Sequence, residues 1–303
     1  MAFAQGSRSS LGIGVESSFG TAALTYTNLP IKTHSLDLTK ERLQGQDIQA
    51  DRMQRVDRHG NRSAAGSIEV DLRKGNYDDL LESAFLSTFD SSDEITIGTT
   101  PKFLTIEDAM NDISQYRLFT GMTVSTMSVS IAPNQMIETT FEMVGKNMSI
   151  SGSGKTVAAS TINQPFDSYN GAIYEGGVGS GDLSEIITSI SFSLTNSFAP
   201  TFVVGSDTAP QLEYGRAIIE GTMSVYAENA TLINKFLNET ESELQVSVDD
   251  PTGSNSYVWY FPRIKYNGAS VPLANEQSRI IELPFVALYD SVEDTALKLT
   301  RTS

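Results

Sequence analysis

A chain of 303 residues is long enough for two units that each bury a core of their own. It holds no Cys and two His, which removes disulfide frameworks, Cys-ligated zinc, Cys nucleophiles and His-rich metal centres from consideration. Against 21 Lys and Arg stand 37 Asp and Glu, and the net charge of −16 sets the chain against phosphate backbones and anionic lipid alike.

From Met1 to Arg8 no basic stretch precedes an apolar one, and no apolar run reaches the ~18 residues of a membrane span. The expectation is a cytoplasm-made chain without a membrane anchor. Residues 1–30 show little periodicity and read as an N-terminal arm that frays or docks on a neighbour. Between Thr39 and Arg58 about 20 residues of mixed charge lack strand alternation, too long for an ordinary connection. Arg and Gln in such a loop suit contacts between chains.

After it the pattern turns to β. Ile68, Val70 and Leu72 alternate with Glu69, Asp71 and Arg73, the period-2 mark of a strand with one wet face. A short helix follows, with Asn76 as candidate cap, Asp78 and Asp79 at its positive end, and a stripe of Leu80, Leu81, Ala84 and Phe85. Met127–Ile131 and Ile137–Met143 form an amphipathic hairpin across a turn at Ala132–Gln135. Residues 147–185 are rich in Gly and Ser and read as a linker. Beyond them a second helix carries Leu232, Ile233, Phe236 and Leu237, and Asp249–Asn255 reads as a hairpin turn. Residues 291–303 read as a C-terminal tail.

The second half echoes the first. Leu36-Asp-Leu38-Thr39 matches Phe192-Ser-Leu194-Thr195, Gly66-Ser-Ile-Glu-Val70 matches Gly221-Thr-Met-Ser-Val225, and Thr140-Phe141-Glu-Met-Val144 matches Pro284-Phe285-Val-Ala-Leu288. Order is kept while the offset drifts from 156 to 144, as expected of an old duplication.

Catalytic and cofactor motifs fail on inspection. Ser151-Gly-Ser-Gly-Lys155-Thr156 ends like a phosphate loop, but its first Gly would have to stand where Ser149 is. Asp249 and Asp250 lack the spacing of a calcium loop. His34 and His59 read as solvated or interface residues, and no carboxylate pair is singled out for hydrolysis. No enzyme activity and no cofactor is expected. Tyr257, Trp259 and Tyr260 leave open an alternative, a carbohydrate-binding or adhesion β-sandwich.

Several segments, taken in order, carry a more specific resemblance. They are Gly14-Val-Glu16-Ser-Ser-Phe-Gly20-Thr21, Asp51-Arg52, Arg58-His-Gly-Asn61, Tyr77-Asp-Asp-Leu-Leu-Glu-Ser-Ala84 and Gln115-Tyr-Arg-Leu-Phe-Thr-Gly121 in the first half. In the second half they are Phe202-Val-Val-Gly205, Tyr214-Gly-Arg216, Asn234-Lys-Phe-Leu-Asn-Glu-Thr240, Pro262-Arg-Ile-Lys-Tyr-Asn-Gly268 and Leu283-Pro-Phe-Val-Ala-Leu-Tyr-Asp290. In these the chain resembles the tail tube (major tail) proteins of long-tailed bacteriophages, in the branch with chains of about this length.

The resemblance implies a mainly β fold of two tandem tail-tube β-sandwich domains, residues 31–146 and 186–290, each with one flanking helix. On ring assembly they would complete a continuous inner β-barrel. It further implies a structural virion protein that stacks as homo-oligomeric rings, here trimers with pseudo-sixfold symmetry. DNA would pass through the lumen without specific binding. The other partners would be the tape-measure protein, the tail terminator and distal tail proteins, and the location the virion tail, assembled in the host cytoplasm. Under that reading, contacts between subunits or rings are expected at Arg42, Asp51, Arg52, Arg55, Asp57, Arg58, His59, Tyr214 and Arg216. Acids facing the lumen are expected at Glu69, Asp71, Glu138, Glu142, Glu220 and Glu282.

Overall fold

Apolar residues at every second position make strands, and in the computed structural model strands account for most of the chain. Residues 3–302 are described, apart from 49, 52, 178–180, 274, 275 and 277. The first half runs β1 (Ser9–Val15), β2 (Tyr26–Leu29), β3 (Thr33–His34), β4 (Asp37–Gln44), β5 (Asp57–Asp71), α1 (Asp78–Phe85), β6 (Glu94–Thr96), β7 (Leu104–Met110), β8 (Gln115–Ile131) and β9 (Glu138–Gly145). Next come β10 (Asn147–Ser151), β11 (Val157–Ala158) and β12 (Gly171–Glu175). The second half runs β13 (Ile187–Thr195), β14 (Ala199–Thr201), β15 (Gln211–Glu213), β16 (Ile218–Tyr226), α2 (Thr231–Leu237), β17 (Ser242–Asp249), β18 (Ser256–Tyr266), β19 (Ile280–Ala287) and β20 (Lys298–Thr302). The fold is mainly β with β-sandwich sheets, and no closed barrel forms among the described residues.

One antiparallel sheet runs through both halves in the order β4, β5, β9, β8, β13, β16, β19, β18. Two strands leave it for the second layer. The first part of β8 pairs with β7 and β10, and the first part of β18 pairs with β17 and β20. In β8 the change of partner falls beside Gly121, whose φ of +66° lies in the left-handed region. A Cβ there would meet Phe19 and Lys146 side-chain atoms at 2.8 Å, so glycine is required on both counts. The order of pairing also repeats: β4, β5, β9, β8, β7 in the first half and β13, β16, β19, β18, β17 in the second.

Between the layers lies a main core that runs through both halves, with a small separate cluster of Leu86, Phe198 and Leu212. Phe192 of β13 packs edge-on against Trp259 and Phe261 of β18, at centroid distances of 5.2 and 5.1 Å, and Phe85 of α1 stacks on Trp259 from the other half. Leu80, Leu81, Ala84 and Phe85, the stripe read from sequence, are all fully buried. Burying each large apolar side chain contributes roughly 1.5–3 kcal/mol, which holds α1 on the sheets despite its length of 8 residues. The helix stops at Leu86, which takes a left-handed φ of 53° and returns its N–H to the Glu82 carbonyl.

Several expectations are corrected here. Asn76 does not cap α1: its amide donates to the Thr161 carbonyl and its oxygen accepts from Asn163 N–H, while Tyr77 is the cap residue. In α2 the stripe is incomplete, because Leu237 is exposed. Residues 9–29 are not a loose arm: β1 and β2 pair with each other and β1 with β7. The Gly- and Ser-rich stretch supplies β10 to β8, β11 to β2 and β12 to β17. Its Glu175 is buried against Lys235 at 2.6 Å. β20, in the expected tail, pairs with β18 and β6. The low local periodicity has two causes: β1 lies between β2 and β7 with Leu11 to Gly14 all buried, and β10 is a largely exposed strand paired on one side, so neither shows a period of two.

The turn at 249–255 forms as expected. Asp250 is 3% exposed, and its carboxylate accepts from Thr252 N–H and hydroxyl, Ser254 N–H and the Asn255 amide. Burial pushes this acid up, but those donors outweigh it and hold it at about 2. A lowered folded value means that the stabilisation is complete above the ordinary value near 3.8 and is lost as pH falls through about 2. Asp250→Asn should therefore be less stable than the native chain to urea at pH 6, and the gap should close towards pH 2. An equal gap at both pH values would contradict the assignment.

Candidate functional site

The long sheet has two unlike faces. Ile68, Val70, Phe141, Met127, Val129, Phe192, Leu194, Met223 and Leu283 point into the core. The strand register fixes what stands on the other side. One row across the sheet reads Asp71, Glu138, Ser130, Ser191, Thr222, Pro284, and the next reads Glu69, Thr140, Ser128, Ser193, Glu220, Val286. Glu142 stands opposite Ser67 and Thr126, and Glu282 opposite Ser224. Directly opposed residues share a face. All six acids singled out from the sequence therefore lie on one polar face, which spans both halves.

Between the acids stand hydroxyl side chains that the sequence reading passed over. Thr126, Ser128, Ser130, Ser191, Ser193 and Thr222 belong to this face by register. The signal was present in the alternation of Ser128, Ser130, Ser191 and Ser193 with apolar neighbours. Lys32 lies at the border, 2.6 Å from Glu138 and 3.7 Å from Asp71, and Thr33 donates to Glu69 at 2.9 Å. Such a face is negative, wet and free of large apolar side chains over its centre, so it offers phosphate no anchoring contact.

The contact candidates gather elsewhere. Residues 39–58 are not a featureless loop: β4 and β5 form a hairpin in the register Arg42↔His59 and Leu43↔Arg58. The Gly45 N–H closes onto the Val56 carbonyl at 3.0 Å. Alternation was hidden because both faces of the hairpin are exposed, so no apolar residue was needed on either. Arg42 grips Asp57 with two nitrogens at 2.7–3.2 Å, and Arg55 pairs with Asp51. Both are exposed pairs that stiffen the hairpin and add little to stability. Arg58 and His59 are exposed on β5, and Arg52 lies outside the described residues. At the tip Ile48 and Met53 are 100% and 70% exposed, an apolar end on a charged stem.

A second hairpin, β14 with β15, lies beside the first. Arg62 donates its N–H to the Asp207 carbonyl at 2.8 Å and its guanidinium approaches the Asp207 carboxylate at 3.3 Å. Tyr214 packs on Phe198 and its hydroxyl donates to the Thr99 carbonyl at 2.8 Å, so it also has an internal role, while Arg216 is exposed. The structure thus places Arg42, Asp51, Arg55, Asp57, Arg58 and His59 on one hairpin and Tyr214 and Arg216 just beyond the end of its neighbour.

The other candidates resolve differently. Trp259 and Tyr257 are fully buried and Tyr260 is half-buried, so these three do not form an exposed platform for a sugar. Lys155 of the failed phosphate loop directs its backbone N–H at the buried carboxylate of Glu107, at 2.8 and 3.1 Å, a place already taken by negative charge. His34 is half-buried, its Nε2 3.6 Å from Asp108, which Arg117 also contacts at 2.6 Å. Burial raises Asp108, but the bonds from His34 and Arg117 outweigh it and leave the acid below its ordinary value. No group of three or more metal-ligating side chains occurs among the described residues, and no helix is long and apolar enough to cross a membrane.

A family model described as phage tail tube protein matches residues 6–287 of the chain. No curated protein matches it. A match over nearly the whole chain, on a mainly β sandwich of this kind, places the chain in the phage tail tube protein family.

Proposed function

We propose that this chain is the major tail tube subunit of a long-tailed bacteriophage, and that three copies close into a ring with pseudo-sixfold symmetry. Membership of the family makes it a structural tail tube protein and a component of the virion tail. The finer reading rests on one observation: a continuous sheet crosses both halves with its six acids on a single polar face. Turned inward, that face lines a channel in which Glu69, Asp71, Glu138, Glu142, Glu220 and Glu282 repel the phosphates of passing DNA. Screening over about 8 Å confines the effect to acids facing the bore. Two similar halves per chain, as a duplication would give, supply six units from three copies.

Stacking is assigned to the two neighbouring hairpins, with Arg42, Asp51, Arg55, Asp57, Arg58, His59, Tyr214, Arg216 and Arg52 as contact residues towards the next ring. Assembly in the host cytoplasm around a tape-measure protein, capped by a terminator and joined to distal tail proteins, completes the reading.

Removing residues 46–55 and rejoining the hairpin across Gly45 and Val56 should leave the fold intact, since those two residues already meet. Rings or monomers should remain and tubes should be absent by negative-stain microscopy. Tubes of normal length from the shortened chain would refute the stacking role.

A further inference from the structure

The two halves of the chain join edge to edge where β8 meets β13, in the register Phe192↔Val129, Ser193↔Ser128, Leu194↔Met127 and Thr195↔Thr126. Both partners of this seam have a counterpart. β13 lies on β16 with Ser193↔Glu220 and Leu194↔Ile219, and β4 lies on β5 with Asp37↔Ala65 and Leu38↔Ala64. These are the same pairs displaced by the offsets of 156 and 155 seen in the sequence. Likewise β8 lies on β9 with Met127↔Phe141 and Ser128↔Thr140. In the second half Tyr266 opposes Phe285, and the Asn267 N–H donates to the Pro284 carbonyl at 2.8 Å. Residues 265–268 therefore hold the place that residues 126–129 hold in the first half.

The difference lies at the outer edges. β13 and β8 fill each other's, whereas β4 pairs with β5 alone, and β17 stops at Ile264 on the corresponding side of β18. Among the described residues no strand pairs with the outer edge of residues 37–40 or with that of residues 265–268. Open edges of this kind are templates for another strand. Their core sides are already covered, since Leu36 and Tyr266 are 2% and 3% exposed, so what is missing is a backbone partner.

We infer that β4 of a second copy of this chain pairs antiparallel with residues 265–268, in the register Leu36↔Gly268, Asp37↔Asn267, Leu38↔Tyr266 and Thr39↔Lys265. The pairing copies the internal seam, so alternation is kept: Asp37 and Asn267 continue the polar face, and Leu38 and Tyr266 continue the core side. The two edges are different surfaces, so copies join head to tail, the arrangement that closes a ring. The inference rests on the tube reading and specifies which edges close the ring and in what register.

A chain without cysteine makes the test direct. Opposed residues in an antiparallel pair have Cα atoms about 4.5–5.5 Å apart, within disulfide range. Ser128→Cys with Ser193→Cys should close a disulfide within one chain, as a control for the seam geometry. Asp37→Cys with Asn267→Cys, oxidised under assembly conditions, should give covalent multimers on non-reducing gels. The two single variants should give dimers when mixed and none alone. Ser35→Cys with Lys265→Cys, four residues out of register, should stay unlinked. Tubes visible by microscopy without a link between positions 37 and 267, or with equal linking out of register, would overturn the inference and leave the tube function standing. Failure of the unaltered chain to form rings or tubes would overturn both.

Discussion

Replacing Phe192 by Ala should lower the unfolding free energy of the unassembled subunit by about 3–5 kcal/mol, the usual cost of removing a buried aromatic ring. Phe192 is 3% exposed on the strand that joins the halves, and its ring meets both Trp259 and Phe261 edge-on. Each such aromatic contact adds about 0.5–1.5 kcal/mol beyond area burial. Neighbouring Phe85 and Phe285 are held by their own strands and helix, so the space can close only in part. Trp259 is the single tryptophan, so urea unfolding followed by its fluorescence reports on the site itself. A loss below about 1.5 kcal/mol would mean that the Phe192 ring is not packed between β13 and β18 in the way described.

Reversing charge on the polar face should turn a non-adhesive conduit into a DNA-binding one. Glu138 and Glu220 stand on β9 and β16, on opposite sides of the seam, and the ion pair that Glu138 makes with Lys32 is an exposed one at the border of the face, which adds little to stability. Glu138→Lys with Glu220→Lys should leave folding and tube formation intact, since both positions are solvated on the isolated subunit. Tubes of the variant assembled in the presence of duplex DNA should retain it. If two phosphates are neutralised, retention should fall roughly tenfold between 50 and 200 mM salt. Tubes of the native chain should retain none, and the corresponding Gln variants should lie close to native. Retention by native tubes, or none by the Lys variant, would place this face away from the bore.

The sequence made the centre of the molecule legible and hid its edges, for a physical reason. β5, β9, β13 and β16 each bury one face and wet the other, so a period of two was visible in Ile68 to Asp71 and in Ile137 to Met143. That alternation also placed all six acids, because register in a half-buried sheet is dictated by which residues must be inside. The β4–β5 hairpin could not be read in this way: from Lys40 to Gln44 every residue is exposed, so its pairing asks for no buried apolar side chain. β1 was missed because Leu11 to Gly14 are all buried between β2 and β7, and β10 because it is largely exposed, so neither shows a period of two. Matching segments identified both halves, yet gave no hint that Phe85, Phe192 and Trp259 would merge them into one core, since packing between halves leaves no period in either.

Electron cryomicroscopy of the assembled tube tests the central claim most directly. Viewed down the axis, three chains per ring should enclose the bore, with Glu69, Glu138 and Glu220 projecting into it and the hairpin at residues 37–71 reaching the next ring. A map in which that acidic face points outward, or is buried against a neighbouring subunit, would contradict the account.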